Sequence, residues 1–304
     1  MTSGAECKNC GEPLAGRYCS ACGQAADVRI PSFGHLVADA LGDVFNFDSR
    51  VWRSLATLVR PGRLTTRFLA GQRAKYTPPF RLYIVTSLVF FAVFSLSRGG
   101  DADSTPAVSS PTADAPDESA PPRAELQSFG IDIDENGGWK CNLDNSDLSP
   151  AARTRLLAAC KKIEADNGAS YLRAFTSNIP MMMLVIIPLV AALMKLLYVF
   201  SGRAYVEHLL FFLHVHTFFF LTGTAAILLS RAVGLMPPFL ARLDRVAVLL
   251  IWIYFPVYVY LAMRHVYRQG YLLTAIKYVA LASGYFVAGL VTLLGVIIYT
   301  AVML

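Results

Sequence analysis

The chain has 304 residues, 55% of them hydrophobic and only 16% charged, with a mean hydropathy of +0.48. Soluble globular chains carry about 25% charged residues, so the deficit points to lipid and away from a wholly soluble domain. The net charge of +6 raises nucleic acid as a partner. The distribution argues against it: residues 1–78 hold ten Lys/Arg against six Asp/Glu, and residues 98–178 hold eight against thirteen. Opposite charge balance on the two sides of the first apolar run is membrane topology.

Residues 1–32 show no apolar run ahead of a small-residue cleavage site, so the N-terminus is expected to stay in the cytosol. Thiols there are kept reduced. Four cysteines, Cys7, Cys10, Cys19 and Cys22, follow the pattern Cys-x2-Cys-Gly twice, with eight residues between Cys10 and Cys19. Two-residue spacing lets each pair close around one zinc ion, and Gly11 and Gly23 fall where the turn needs a left-handed backbone. Four thiolates leave no open position for water, so the spacing predicts a structural Zn2+ rather than a catalytic one. A module of residues 1–26 has almost no core, and the metal must supply its folding energy. It carries no basic recognition helix, so no nucleic-acid partner is expected.

Residues 27–79 read as an amphipathic juxtamembrane helical region. Apolar residues from Phe33 to Val59 recur at spacings of three and four, with Ser32 as the N-cap and Pro61-Gly62 as the stop. Two readings stay open: the segment lies on the membrane surface, or it packs on the cysteine module or the membrane helices. In residues 73–83, Pro78-Pro79 turn the chain into the membrane. Tyr76, Arg81 and Tyr83 suit an interfacial anchor against anionic headgroups.

A crossing helix needs roughly 20 apolar residues. Five runs qualify: 80–97, 179–200, 208–230, 246–263 and 277–303. Basic flanks put the N-terminus inside and residues 98–178 outside; the loop 231–245 disagrees, with three Arg against one Asp. In the outer loop, 99–125 has the composition of a disordered linker. Residues 149–176 read as a helix, with Ser149 as N-cap and Pro150 at the first position. Cys141 and Cys160 either form a disulfide in an oxidising compartment or remain two unrelated thiols. Residues 179–304 make a four-helix transmembrane bundle.

The third run opens with Tyr-Val-Glu-His-Leu-Leu-Phe-Phe-Leu-His-Val-His, residues 205–216. Ionisable groups inside a span are costly, and the default reading is functional. At 100° per residue His208 and His216 share one face with Tyr205, while Glu207 and His214 share another. One ion cannot take all three histidines from this helix alone; His265 or His35 would have to help. The alternative is hydrogen bonding between helices. In the last run Ala280, Gly284 and Ala288 recur every four residues. That stripe suits close packing, within the molecule or in a homo-oligomer. No nucleophile elbow, phosphate loop or His-Glu-x-x-His stands out.

The module at 7–24, Lys75–Tyr83, Tyr205–Leu209 and Arg264–Gly270 together make the chain resemble a bacterial family of membrane proteins with a domain of unknown function and an N-terminal zinc ribbon. The resemblance implies an inner-membrane location and a cytosolic ribbon, assigns no activity, and adds weight to Glu207 and His208. The expectation is an all-α polytopic membrane protein with about five spans and a small zinc ribbon. It is expected to act as a non-enzymatic adaptor or regulator whose ribbon docks a cytosolic protein. The alternative is a transporter or channel component with a His/Glu-lined path.

Overall fold

The computed structural model describes residues 5–27, 49–99, 131–133, 139–141 and 169–303 without 235–240, together with positions 154, 158 and 161. Seven helices lie among them: α1 Ser49–Leu58, α2 Arg63–Leu69, α3 Pro79–Gly99, α4 Ala169–Leu197, α5 Tyr205–Gly234, α6 Ala241–Tyr267 and α7 Tyr271–Met303. The last five are long and apolar enough to cross a membrane. The chain is therefore built as an all-α, multi-pass membrane protein preceded by a cysteine cluster.

The helix ends differ from the apolar runs in instructive ways. Helix α4 stops at Leu197, before a 3-10 turn at Val199–Ser201. Helix α7 starts at Tyr271 and so includes Lys277, whose ammonium lies 3.6 Å from the centre of the Tyr198 ring. That partner lets a cation sit inside a long apolar helix. A short antiparallel hairpin, β1 Ile131–Ile133 with β2 Trp139–Cys141, occupies part of the loop after α3. No strand was expected there. Cys160, the second thiol of the possible Cys141–Cys160 disulfide, lies outside the described residues, as do Ser32, His35 and residues 33–48 of the amphipathic segment.

The chain divides into two compact units, 1–101 with 187–286 and 102–186 with 287–304. In the second, Asn178 Nδ2 donates to Thr300 Oγ1 at 3.3 Å. In the first, α5 is the central helix. It packs on α3, α6 and α2 and buries an almost unbroken run from His208 to Phe218. Aromatic rings fill the joints: Phe90 and Phe91 of α3 against Phe220, and Phe218 on Tyr258 of α6 at 3.6 Å.

Helices α1 and α2 form a hairpin that packs among these spans. Tyr258 Oη donates to the carbonyl of Leu58 at 2.7 Å, closing the C-terminal end of α1. Gly62 turns the chain with φ +73°, and a Cβ there would meet the carbonyl oxygen of Ala262 at 2.9 Å. Thr65 reaches His214. For α1 the packing reading therefore holds over the surface reading, although Trp52 stays exposed. His214 and Tyr258 each lie nine residues inside the end of their helix, about 13 Å along its axis. The tip of the hairpin reaches that depth.

The expected anchor also needs correction. Tyr76, Arg81 and Tyr83 are buried in protein rather than turned to headgroups. Tyr76 Oη accepts from Arg67 Nη1 at 2.6 Å, and Tyr83 packs on Phe220. Residues 63–69 had already brought a helix to this position, so the side chains around Pro78-Pro79 meet α2 and α5 instead of lipid. Burial pushes the Tyr76 phenol up, but the Arg67 guanidinium outweighs it and the net shift is down.

Candidate metal centre and the polar groups of the spans

The cysteine module folds as two matching turns. Gly11 N–H donates to the Cys7 carbonyl and Gly23 N–H to that of Cys19, at 2.8 and 2.9 Å. Cys7 N–H donates to Glu12, and Cys19 N–H to Gln24. Gly11 and Gly23 take φ of +82° and +71°, the left-handed turn that the spacing predicts. One bridge pairs Glu6 with Pro13, and its counterpart pairs Tyr18 with Ala25. The near-repeat in sequence is thus a near-repeat in structure.

The turns bring the sulfur atoms of Cys7, Cys10, Cys19 and Cys22 within 4.8 Å of one another. Cys7 lies 3.6 Å from Cys22 and Cys10 3.5 Å from Cys19. A tetrahedral ion with 2.3 Å zinc–sulfur bonds needs sulfur–sulfur edges of about 3.8 Å. These residues fit a four-thiolate metal site with little adjustment. Cys7 and Cys19 are buried, and Cys10 is exposed. The backbone bond at Gln24, then Asn9, hold Cys22 down to about 6. At Cys10 the backbone bond at Glu12 pulls down, but burial and the other three sulfurs outweigh it and push the thiol up to about 12.

The ribbon is fastened to its own chain. Gln24 is buried; its Nε2 donates to the Gly71 carbonyl at 2.8 Å, and its Oε1 accepts from the amides of Arg73 and Ala74. The stem of Lys8 lies on Gly71, where a Cβ would meet Lys8 Cδ at 2.9 Å. Sequence reading missed Gln24. Its only local signal is its place after Gly23, matching Glu12 after Gly11.

Among the described residues the four cysteines are the one metal-capable cluster. The polar residues of α5 are not gathered into a single site. His208 Nδ1 bonds Tyr267 Oη of α6 at 2.8 Å. His214 Nδ1 bonds Thr65 Oγ1 of α2 at 2.9 Å. His216 bonds the Phe212 carbonyl at 2.9 Å and Tyr285 Oη of α7 at 3.2 Å. Three histidines thus point at three different elements. Glu207 is a helix cap: Oε1 accepts from Ala204 N–H, and Oε2 pairs with Arg203 at 2.9 Å. Arg203 also donates to the Val266 carbonyl, tying the start of α5 to the end of α6. The expected grouping of Glu207 with the three histidines is therefore four separate contacts. The Nε2 atoms of His208 and His214 are buried without a partner among the described residues. Gly284 is spent within the chain, since a Cβ there would collide with Leu193 of α4.

Residues 48–91 match the model of DUF3667, a family of unknown function. The match covers α1, α2 and most of α3, the hairpin and the span beside it. No curated protein and no solved structure matches the chain.

Proposed function

We propose that this is a non-enzymatic membrane adaptor of the bacterial inner membrane, with a cytosolic zinc ribbon that docks a protein partner. The observation that carries the reading is the fixed ribbon: four sulfurs in metal-binding register, joined by Gln24 to the turn at Gly71–Ala74. The metal would be zinc and structural, because a closed four-thiolate set suits zinc and leaves no site for substrate. Tyr18, 68% exposed on the ribbon, offers an aromatic anchor of the kind that dominates interface energetics.

The runner-up is a transporter or channel component. It draws on the unpartnered Nε2 atoms of His208 and His214. Against it, each histidine is already tied to a different neighbour.

Photocrosslinking from position 18 in native membranes tests the adaptor reading. The expected result is one discrete protein adduct that disappears in Cys19→Ser. Labelling of lipid alone would overturn it. Ion or proton flux in reconstituted vesicles that falls in His214→Ala and survives Cys19→Ser would favour the transporter instead.

A further inference from the structure

The end of α6, the turn after it and the α1–α2 hairpin border an open cavity of about 620 Å³. Arg264 and His265 line it from α6, Arg268 and Gln269 from the turn that follows, Pro61 and Thr66 from the hairpin, and Leu261 gives it an apolar wall. No carboxylate is among these residues. The surrounding segments are as one-sided: residues 49–81, 195–207 and 264–277 hold thirteen Lys/Arg and a single acid, Glu207. That acid is committed to Arg203.

Arg268 carries the argument further. It follows the last residue of α6 and takes φ +52°, the one left-handed non-glycine residue among those described. Its N–H donates to the Arg264 carbonyl at 3.0 Å, closing the helix. Glycine is the usual residue at such a stop, and any side chain there is strained. Strained residues of this kind cluster at binding and switch sites. The Arg268 side chain is exposed and lines the cavity. Gln269 Oε1 is buried without a partner in the same wall. Arg264 is braced with its guanidinium carbon 3.4 Å from the centre of the Tyr271 ring. Two arginines therefore converge on a concave space at the end of a span, next to an unpaired amide.

We infer that this cavity binds a phosphate-bearing anion. The guanidinium forks of Arg264 and Arg268 match the oxygens of a phosphate. Gln269 Oε1 accepts from a hydroxyl on the same ligand. Leu261 lies on the spanning helix, which favours a lipid headgroup over a free phosphate.

Native mass spectrometry of the detergent-solubilised full chain tests this. Phosphatidylglycerol is the probe, phosphatidylcholine the uncharged comparison, and inorganic phosphate the competitor. One saturable phosphatidylglycerol adduct is expected, absent with phosphatidylcholine, and weakened about tenfold in Arg264→Gln and in Arg268→Gly. Arg268→Gly relieves the left-handed strain, so its melting temperature should equal or exceed that of the parent chain. Persistence of the adduct in millimolar phosphate assigns the site to lipid; displacement assigns it to free phosphate-bearing anions as well. Unchanged retention in both variants, no preference over phosphatidylcholine, or an Arg268→Gly chain that melts lower would each overturn the inference.

Discussion

Gln24 and Gly71 are joined at 2.8 Å across 47 residues, and the same side chain takes two further amides from Arg73 and Ala74. The cysteine module is thereby tied to the turn leading into the first span. Gln24→Ala removes all three bonds and leaves buried backbone groups unsatisfied, at a cost of about 2 kcal/mol. Zinc content should stay unchanged, because Gln24 contributes only its backbone to the turn around Cys19. Hydrogen exchange should accelerate at residues 71–76. Exchange rates equal to the parent chain would mean that the contact does not hold the ribbon.

Metal removal should act differently. Cys7→Ser, or a strong chelator, takes one of four ligands or the ion itself, and the ribbon loses the energy that folds it. Elemental analysis should find one zinc per parent chain and none in the variant. Membrane insertion should be unaltered. Loss of insertion along with zinc would show that the ribbon organises the spans as well as itself.

The bond between Thr65 and His214 predicts an asymmetric double-mutant cycle. Thr65→Val strands the His214 nitrogen in a dry site and should cost about 1–3 kcal/mol. Adding His214→Leu removes the stranded group and should recover part of that loss. Thermal unfolding in detergent measures both steps. If the two losses simply add, the hydrogen bond is not what couples the helices.

The approach of α7 to α4 rests on Gly284 beside Leu193. Gly284→Ala should destabilise by roughly 1–3 kcal/mol through overpacking. Leu193→Ala in the same chain should relieve it. Ala280→Leu, at an exposed position, should be near neutral for the monomer. A shift from oligomer to monomer on changing Ala280 would revive a homo-oligomeric role for that stripe.

The spans were legible because bilayer thickness imposes a length, and five apolar runs met it. The cysteine cluster was legible because cysteine spacing is local geometry. What escaped the sequence was everything decided by a distant partner. The start of α7 was misplaced because Lys277 interrupts the apolar run, while the Tyr198 ring that receives its charge lies far back in the chain. Tyr76 and Tyr83 have the composition of interfacial residues, and only the presence of α2 and α5 turns them inward. The hairpin at 131–141 has strands of three residues each, too short for an alternation to register. Glu207 stood out as an acid near a span. Its capping bond to Ala204 could have been read from its third position in the helix.

The hairpin of α1 and α2 sets a condition on how the protein is made. Its polar groups find their partners late: Thr65 waits for His214, 149 residues on, and the Leu58 carbonyl waits for Tyr258, 200 residues on. At ribosomal speeds the interval is roughly ten to forty seconds. Until α5 and α6 are in place these two groups lack the partners that the fold gives them, and in lipid such unpaired groups are costly. A segment made before any of the five spans is thus among the last to complete its contacts.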